Sequence, residues 1–211
     1  MLFNGGLTMR KFAALALSGL LLLSLPACRP RENEARAEEL RGRYAALTAY
    51  TAAAEVVLPR EEGDARYTLR FDADGEETRV TVLAPELLAG VTARLSADAL
   101  KLEYDGLVLD AGGAVEGLSA VNCVPLALRA AGGGYLLEQN EETFGDTEHA
   151  LRLSLESEAS GSTLRYTIWF APDGAPLYAE IAENEEVAAF MEFTSFAFCD
   201  TITPDGSTAA E

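Results

Sequence analysis

The chain has 211 residues, 49% of them hydrophobic, with 34 acidic side chains against 16 Lys and Arg and a formal net charge of −18 at pH 7. Such a chain repels phosphate, which excludes nucleic-acid binding and adhesion to anionic lipid through basic patches, since both need clustered Lys and Arg. Its length suits one domain with a sizeable core better than two small ones.

In chain order, Met9-Arg10-Lys11 precedes an apolar run from Phe12 to Leu25, and Leu25-Pro26-Ala27-Cys28 closes the segment. The basic start, a run shorter than the roughly 20 residues of a spanning helix, and small residues before a cysteine read as an export signal over 1–27. Met9 is an alternative start, because Met1 to Thr8 adds no charge. The junction resembles the bacterial lipobox. That resemblance implies a diacylglyceryl group on the Cys28 thiol, cleavage before it, and acylation of the new amino terminus, palmitate being an implied modification. The expected location is extracytoplasmic, lipid-anchored to a bacterial membrane through Cys28. The mature chain would keep 184 residues, with 14 basic against 34 acidic side chains once Arg10 and Lys11 have left.

Residues 28–36 are expected to form a tether. It merges into an amphipathic helix on which Ala37, Leu40, Tyr44, Leu47, Thr51 and Ala54 follow three- and four-residue steps. After Glu55 the period becomes two. Tyr67, Leu69 and Phe71 alternate with polar neighbours, as do Leu100, Leu102 and Tyr104, then Leu151, Leu153 and Leu155, and finally Leu164, Tyr166, Ile168 and Phe170. These are half-buried strands. Glu62-Gly63-Asp64, Asp72-Ala73-Asp74-Gly75, Asp105-Gly106 and Pro172-Asp173-Gly174 are tight-turn chemistry, so sequential antiparallel hairpins are expected.

Two segments break the strands. Pro85 to Ala89 predicts one helical turn, and Leu118 to Ala131 predicts a short apolar helix pair split near Pro125 and ended by Gly132, Gly133 and Gly134, which are either a plain linker or a hinge. An antiparallel sheet with one oily face needs a cover, and these helices are the candidates. Residues 37–200 form the expected domain, and 201–211 the expected flexible tail. The fold class is mainly β: a curved antiparallel sheet, an incomplete barrel covered by helices.

The order of a lipobox, an amphipathic helix, a long meander, a central apolar helical insertion and further strands resembles the LolA-like lipoprotein carriers and their RseB-like, LppX and LprG relatives. Its local carriers are Tyr67 to Phe71, Val80 to Pro85 running into Leu88 to Ala93, Leu102 to Gly106, and Ile168 to Phe170 before Pro172-Asp173-Gly174. The resemblance implies a half-barrel whose concave apolar face holds acyl chains of a lipid or lipoprotein. Soluble carriers of this group are not acylated, so the expected role here is an anchored carrier, receptor or sensor. The alternative is a solid-cored structural or interaction module that offers its sheet edge or acidic face to another envelope protein.

The candidate ligand-binding residues are Tyr67, Leu69, Phe71, Leu102, Tyr104, Leu153, Leu155, Ile168 and Phe170, because an acyl chain needs contiguous apolar surface and few directed polar groups. Beyond Cys28, Cys123 and Cys199 are left open as either a disulfide or two buried thiols. No catalytic residue, cofactor or metal is expected. His149 is the single histidine and reads as an edge imidazole; Lys101 alternates onto the wet face; no G-x-S-x-G is present. Asp72, Asp74 and Gly75 lack the later spacing of a calcium loop, and Glu138, Glu141, Glu142, Asp146 and Glu148 read as a solvated loop.

Overall fold

The computed structural model describes residues 29–96, 99–110, 117–159 and 161–199. Cys28, the expected export signal and the expected tail lie outside the described residues. Helix α1 spans Arg29–Ala45, so the stretch expected as a tether is helical from Arg29 onward. Six strands follow: β1 Ala49–Leu58, β2 Ala65–Asp74, β3 Thr78–Ala84, β4 Thr92–Leu95, β5 Leu100–Tyr104 and β6 Leu107–Asp110. A 3₁₀ turn, Glu86–Leu88, fills the predicted break between β3 and β4. After helix α2, Cys123–Gly133, come β7 Tyr135–Phe144, β8 Thr147–Ala159, β9 Ser162–Phe170, β10 Pro176–Glu183 and β11 Glu186–Phe198.

All eleven strands join one antiparallel sheet in the order β6-β5-β4-β3-β2-β1-β11-β10-β9-β8-β7. The first strand therefore sits in the middle, paired with β2 on one side and with the last strand on the other. Two meanders run outward from this seam. Their outermost strands, β6 and β7, do not pair, so the barrel stays open. Laid flat, eleven strands would be about 50 Å wide. Two helices, each about 10–12 Å across, cannot roof that width. The sheet curves instead, and buried residues from β4 to β8 share one core with α1 and α2. This is the fold class expected from the strand pattern.

The turns obey the chemistry that predicted them. Asp74 Oδ1 accepts the Glu76 and Glu77 amides at 3.3 and 3.1 Å, closing β2 onto β3. Asp105 (φ 50°) and Gly106 (φ 79°) both lie in the left-handed region, as a two-residue hairpin turn demands.

Two helical expectations are corrected. Thr51 and Ala54 belong to β1, not to the first helix: Tyr50, Ala52, Ala54 and Val56 are buried in strict alternation. Thr51 and Ala54, three residues apart, fall on opposite faces of the strand, and the neighbouring Tyr, Thr and Val side chains favour that conformation. The pair of helices split at Pro125 is one helix. Pro125 is its third residue, where a missing amide costs nothing because first-turn amides have no intrahelical partner. Gly133 is the last residue of α2 and Gly134 its C-cap, so the glycines end the helix as expected, with Gly132 and Gly133 inside its final turn and not in a separate linker. A Cβ on Gly132 would stand 2.5 Å from the Ala45 amide nitrogen. Glycine there lets the two helix backbones touch.

Candidate ligand cavity

Tyr50, Ala73, Thr78 and Leu95 oppose one another in register across β1, β2, β3 and β4. Opposed residues of antiparallel neighbours share a face, so these four form a floor at one end of the covered side. The last turn of α1, with Tyr44 and Ala45, and the α2 face carrying Pro125, Leu126 and Arg129 form the walls. Between them lies a cavity of about 690 Å³ that opens to solvent. Ligand sites run from roughly 300 to 1,000 Å³.

The space exists because the helices lean to one side. α2 rests on β8, β9 and β10, and α1 rests on β7. The fastenings lie there too. Tyr44 donates its hydroxyl to the Gly174 carbonyl at 2.9 Å, Arg43 donates to the Asp173 carbonyl at 2.7 Å, and Arg36 pairs with Glu141 at 3.2 Å. Tyr44 also packs on Phe170 and Phe198 at 5.2 and 5.5 Å between ring centroids.

The cavity wall is half oily and half polar. Leu47, Leu95, Leu126 and Leu128 supply apolar surface, while Thr78, Glu76, Glu77, Ser96, Asn122 and Arg129 supply polar groups. Glu77 is engaged by Arg94 at 3.0 Å, and Arg94 also reaches Glu103 at 3.2 Å. Asn122 is buried but satisfied: its Oδ1 accepts the Ser119 amide and its Nδ2 donates to the Gly117 carbonyl, both at 2.8 Å. Tyr50 differs. It is 6% exposed, and its hydroxyl has no hydrogen-bond partner at bonding geometry, although Thr78 stands beside it. Burial pushes that hydroxyl up to about 12, with Thr78 and Arg129 pulling the other way. Burial likewise pushes Tyr166 up to about 12, again opposed by Arg129.

All nine residues expected to meet a ligand lie on the covered face of the sheet, and none lines this cavity. Leu69, Phe71, Leu153, Leu155, Ile168 and Phe170 are fully buried in the core. Tyr67 and Leu102 pack against its margin, and Tyr104, 55% exposed, stands near the β6 edge. The lining was missed because it comes from strand ends, turns and the helix wall. Among these residues only Tyr44 and Leu47 belonged to a periodic stripe. Cys123 is buried, Cys199 is exposed, and both are free thiols. Burial pushes the Cys123 thiol up to about 12, which leaves it unreactive at neutral pH.

His149 is an exposed imidazole whose Nδ1 meets Glu141 at 2.6 Å. Lys101 is exposed. Glu138 and Glu142 are matched by Arg152 at 3.1 and 3.7 Å, and Trp169 donates its indole N–H to Glu142 at 2.6 Å. Among the described residues no cluster of His, Cys, Asp and Glu could hold a metal, and no helix is long and apolar enough to cross a membrane. On the uncovered face, Phe144, Trp169, Tyr178 and Phe190 stack into one aromatic stripe, with centroids 5.1 to 6.5 Å apart.

No protein-family model matches the chain, and no curated protein matches it. Among solved structures it is similar to an uncharacterized conserved protein from Thermus thermophilus, at 15% identity over 79% of this chain and 88% of that one, with a TM-score of 0.48. It is also similar to a LolA superfamily protein from Nitrosomonas europaea, at 9% identity over 78% and 93% of the two chains, TM-score 0.47. A third is the lipoprotein LppX from Mycobacterium tuberculosis, at 15% identity over 76% and 92%, TM-score 0.42.

Proposed function

We propose that this chain is an exported, acyl-anchored lipoprotein that holds an apolar ligand, a lipid or the acyl chain of a lipoprotein, between its sheet and helices, as a carrier, receptor or sensor and not as a catalyst. The observation that carries the reading is the cavity of about 690 Å³ walled by α1, α2 and the β1–β4 floor. The cavity opens to solvent on the covered side of the sheet, and its volume falls within the range of small-molecule sites. The Cys28 junction supplies the anchor, and the acidic surface leaves the acyl chains to do the membrane holding.

The reading predicts that mass spectrometry of an organic extract of the purified full chain finds a co-purifying lipid, and that Ala73→Trp, which fills the floor, removes it while the far-ultraviolet circular dichroism stays unchanged. No lipid from the parent chain would refute the reading. For the anchor, Cys28→Ala should release the chain from the membrane fraction; continued membrane association would refute lipidation.

A second reading, an envelope interaction module, draws on β6. This edge strand leaves Leu107 70%, Val108 60% and Leu109 65% exposed, so both of its faces are oily, and no strand among the described residues pairs with its outer backbone edge. Crosslinking from that strand to an envelope protein, with no lipid in the extract, would favour this second reading over the first.

A further inference from the structure

Three observations converge on one spot in the cavity wall. The Tyr50 hydroxyl is buried with no partner at bonding geometry, Thr78 standing beside it, and a buried polar group left unsatisfied costs about 1–3 kcal/mol. Arg129, one helical turn from Pro125 on α2, lines the same space and pairs with no carboxylate among the described residues. Arg129 is also close enough to Tyr50 and Tyr166 to act electrostatically on both phenols. The other charges on the rim are Glu76, exposed to water, and Glu77, already held by Arg94.

Resting on the cavity reading above, we infer that the occupant is an amphiphile with an anionic head group, whose carboxylate or phosphate meets Arg129 and accepts a hydrogen bond from the Tyr50 hydroxyl while its chain lies along Leu47, Leu95, Leu126 and Leu128. The chemistry fits on both sides. A guanidinium presents a planar fork to two oxygens of such a head group, and the Tyr50 O–H gains the acceptor it lacks. The half-oily, half-polar wall suits one molecule with one charged end. Neither a hydrocarbon without a head group nor a free inorganic anion would use both halves.

The test compares three probes sharing one sixteen-carbon chain, palmitate, hexadecyl phosphate and hexadecanol, titrated into the purified full chain by calorimetry. Both anionic probes should bind about tenfold or more tighter than the alcohol. Arg129→Gln should erase that advantage and leave the alcohol's affinity unchanged, Arg129→Lys should keep part of it, and Tyr50→Phe should reduce it. Because Arg129 is exposed and pairs with no carboxylate among the described residues, Arg129→Gln should melt with the parent chain. Equal binding of all three probes, or an advantage that survives Arg129→Gln, overturns the head-group assignment while the cavity reading stands. Failure of every probe to bind overturns both. Inorganic phosphate competing as well as hexadecyl phosphate would mark a free-anion site and overturn the amphiphile.

Discussion

The two arms of the sheet use the same alternating pattern to different ends. From β7 to β11 the strands run 8 to 13 residues, the helices rest on them, and Leu151, Leu153, Leu155, Ile168, Phe170 and Ile181 are all but sealed from water. From β2 to β6 the strands shorten from 10 residues to 4, the helices stand away, and Leu83, Leu87, Leu107, Val108 and Leu109 are exposed. Every polar fastening described for α1 goes to β7 or to the β9–β10 turn. One arm is built to be full and the other to leave space. The lesson is that the placement of two helices, more than the composition of the strands, decides where a half-barrel can hold something.

The strongest challenge to this contrast is a pair of truncations. Phe170→Ala, in the filled arm, should cost about 3–5 kcal/mol, whereas Leu95→Ala, beside an existing void, should cost nearer 2 kcal/mol. Urea unfolding of both variants decides it, and equal losses would mean the arms are packed alike. Next comes the helix contact: Gly132→Ala places a methyl against the backbone of Ala45 and should cost about 1–3 kcal/mol by forcing the helices apart. Gly133→Ala, which meets nothing within 4 Å, serves as its neutral control in the same melts.

Tyr44→Phe strips the Gly174 carbonyl of a buried donor, for an expected loss of about 1–2 kcal/mol and faster exchange of the α1 amides. Unchanged exchange would show that α1 is held by packing alone. The smallest effect concerns pH. The Glu141 carboxyl is held below its usual range first by the hydrogen bond from His149 and further by Arg36, against a small desolvation cost. A depressed carboxylate contributes fully above its unfolded pKa of about 4.3 and loses that contribution as pH falls through the folded value. The denaturation midpoints of Glu141→Gln and the parent chain should therefore differ at pH 7 and converge in acid; a constant gap would remove this tie between α1 and β7.

Much of the architecture was legible because it is local. Asp-Gly turns and alternating Leu, Tyr and Phe mark hairpins wherever they occur, and they gave the meanders and their common oily face. Thr51 and Ala54 were misread because their three-residue step continues the helical stripe, and tertiary pairing with β2 and β11 decided the matter. The joining of β1 to β11 spans nearly the whole chain, and no local signal announces it. The cavity was hidden for a related reason. Its floor is one residue from each of four strands, and its walls come from two helices whose contact, Gly132 against the Ala45 backbone, no local pattern announces. A periodic stripe identifies what is buried, not what is left unfilled.

The seam at β1 also governs assembly. Because the earliest strand finds half of its hydrogen bonds only on the latest one, a chain emerging amino end first must keep β1 bare along one side until residue 186 and beyond have arrived. Closure of the two meanders into a single sheet is then a late, long-range event of the kind that slows folding. Any loss of β11 would leave two unconnected half-sheets, so that strand is the keystone of the sheet.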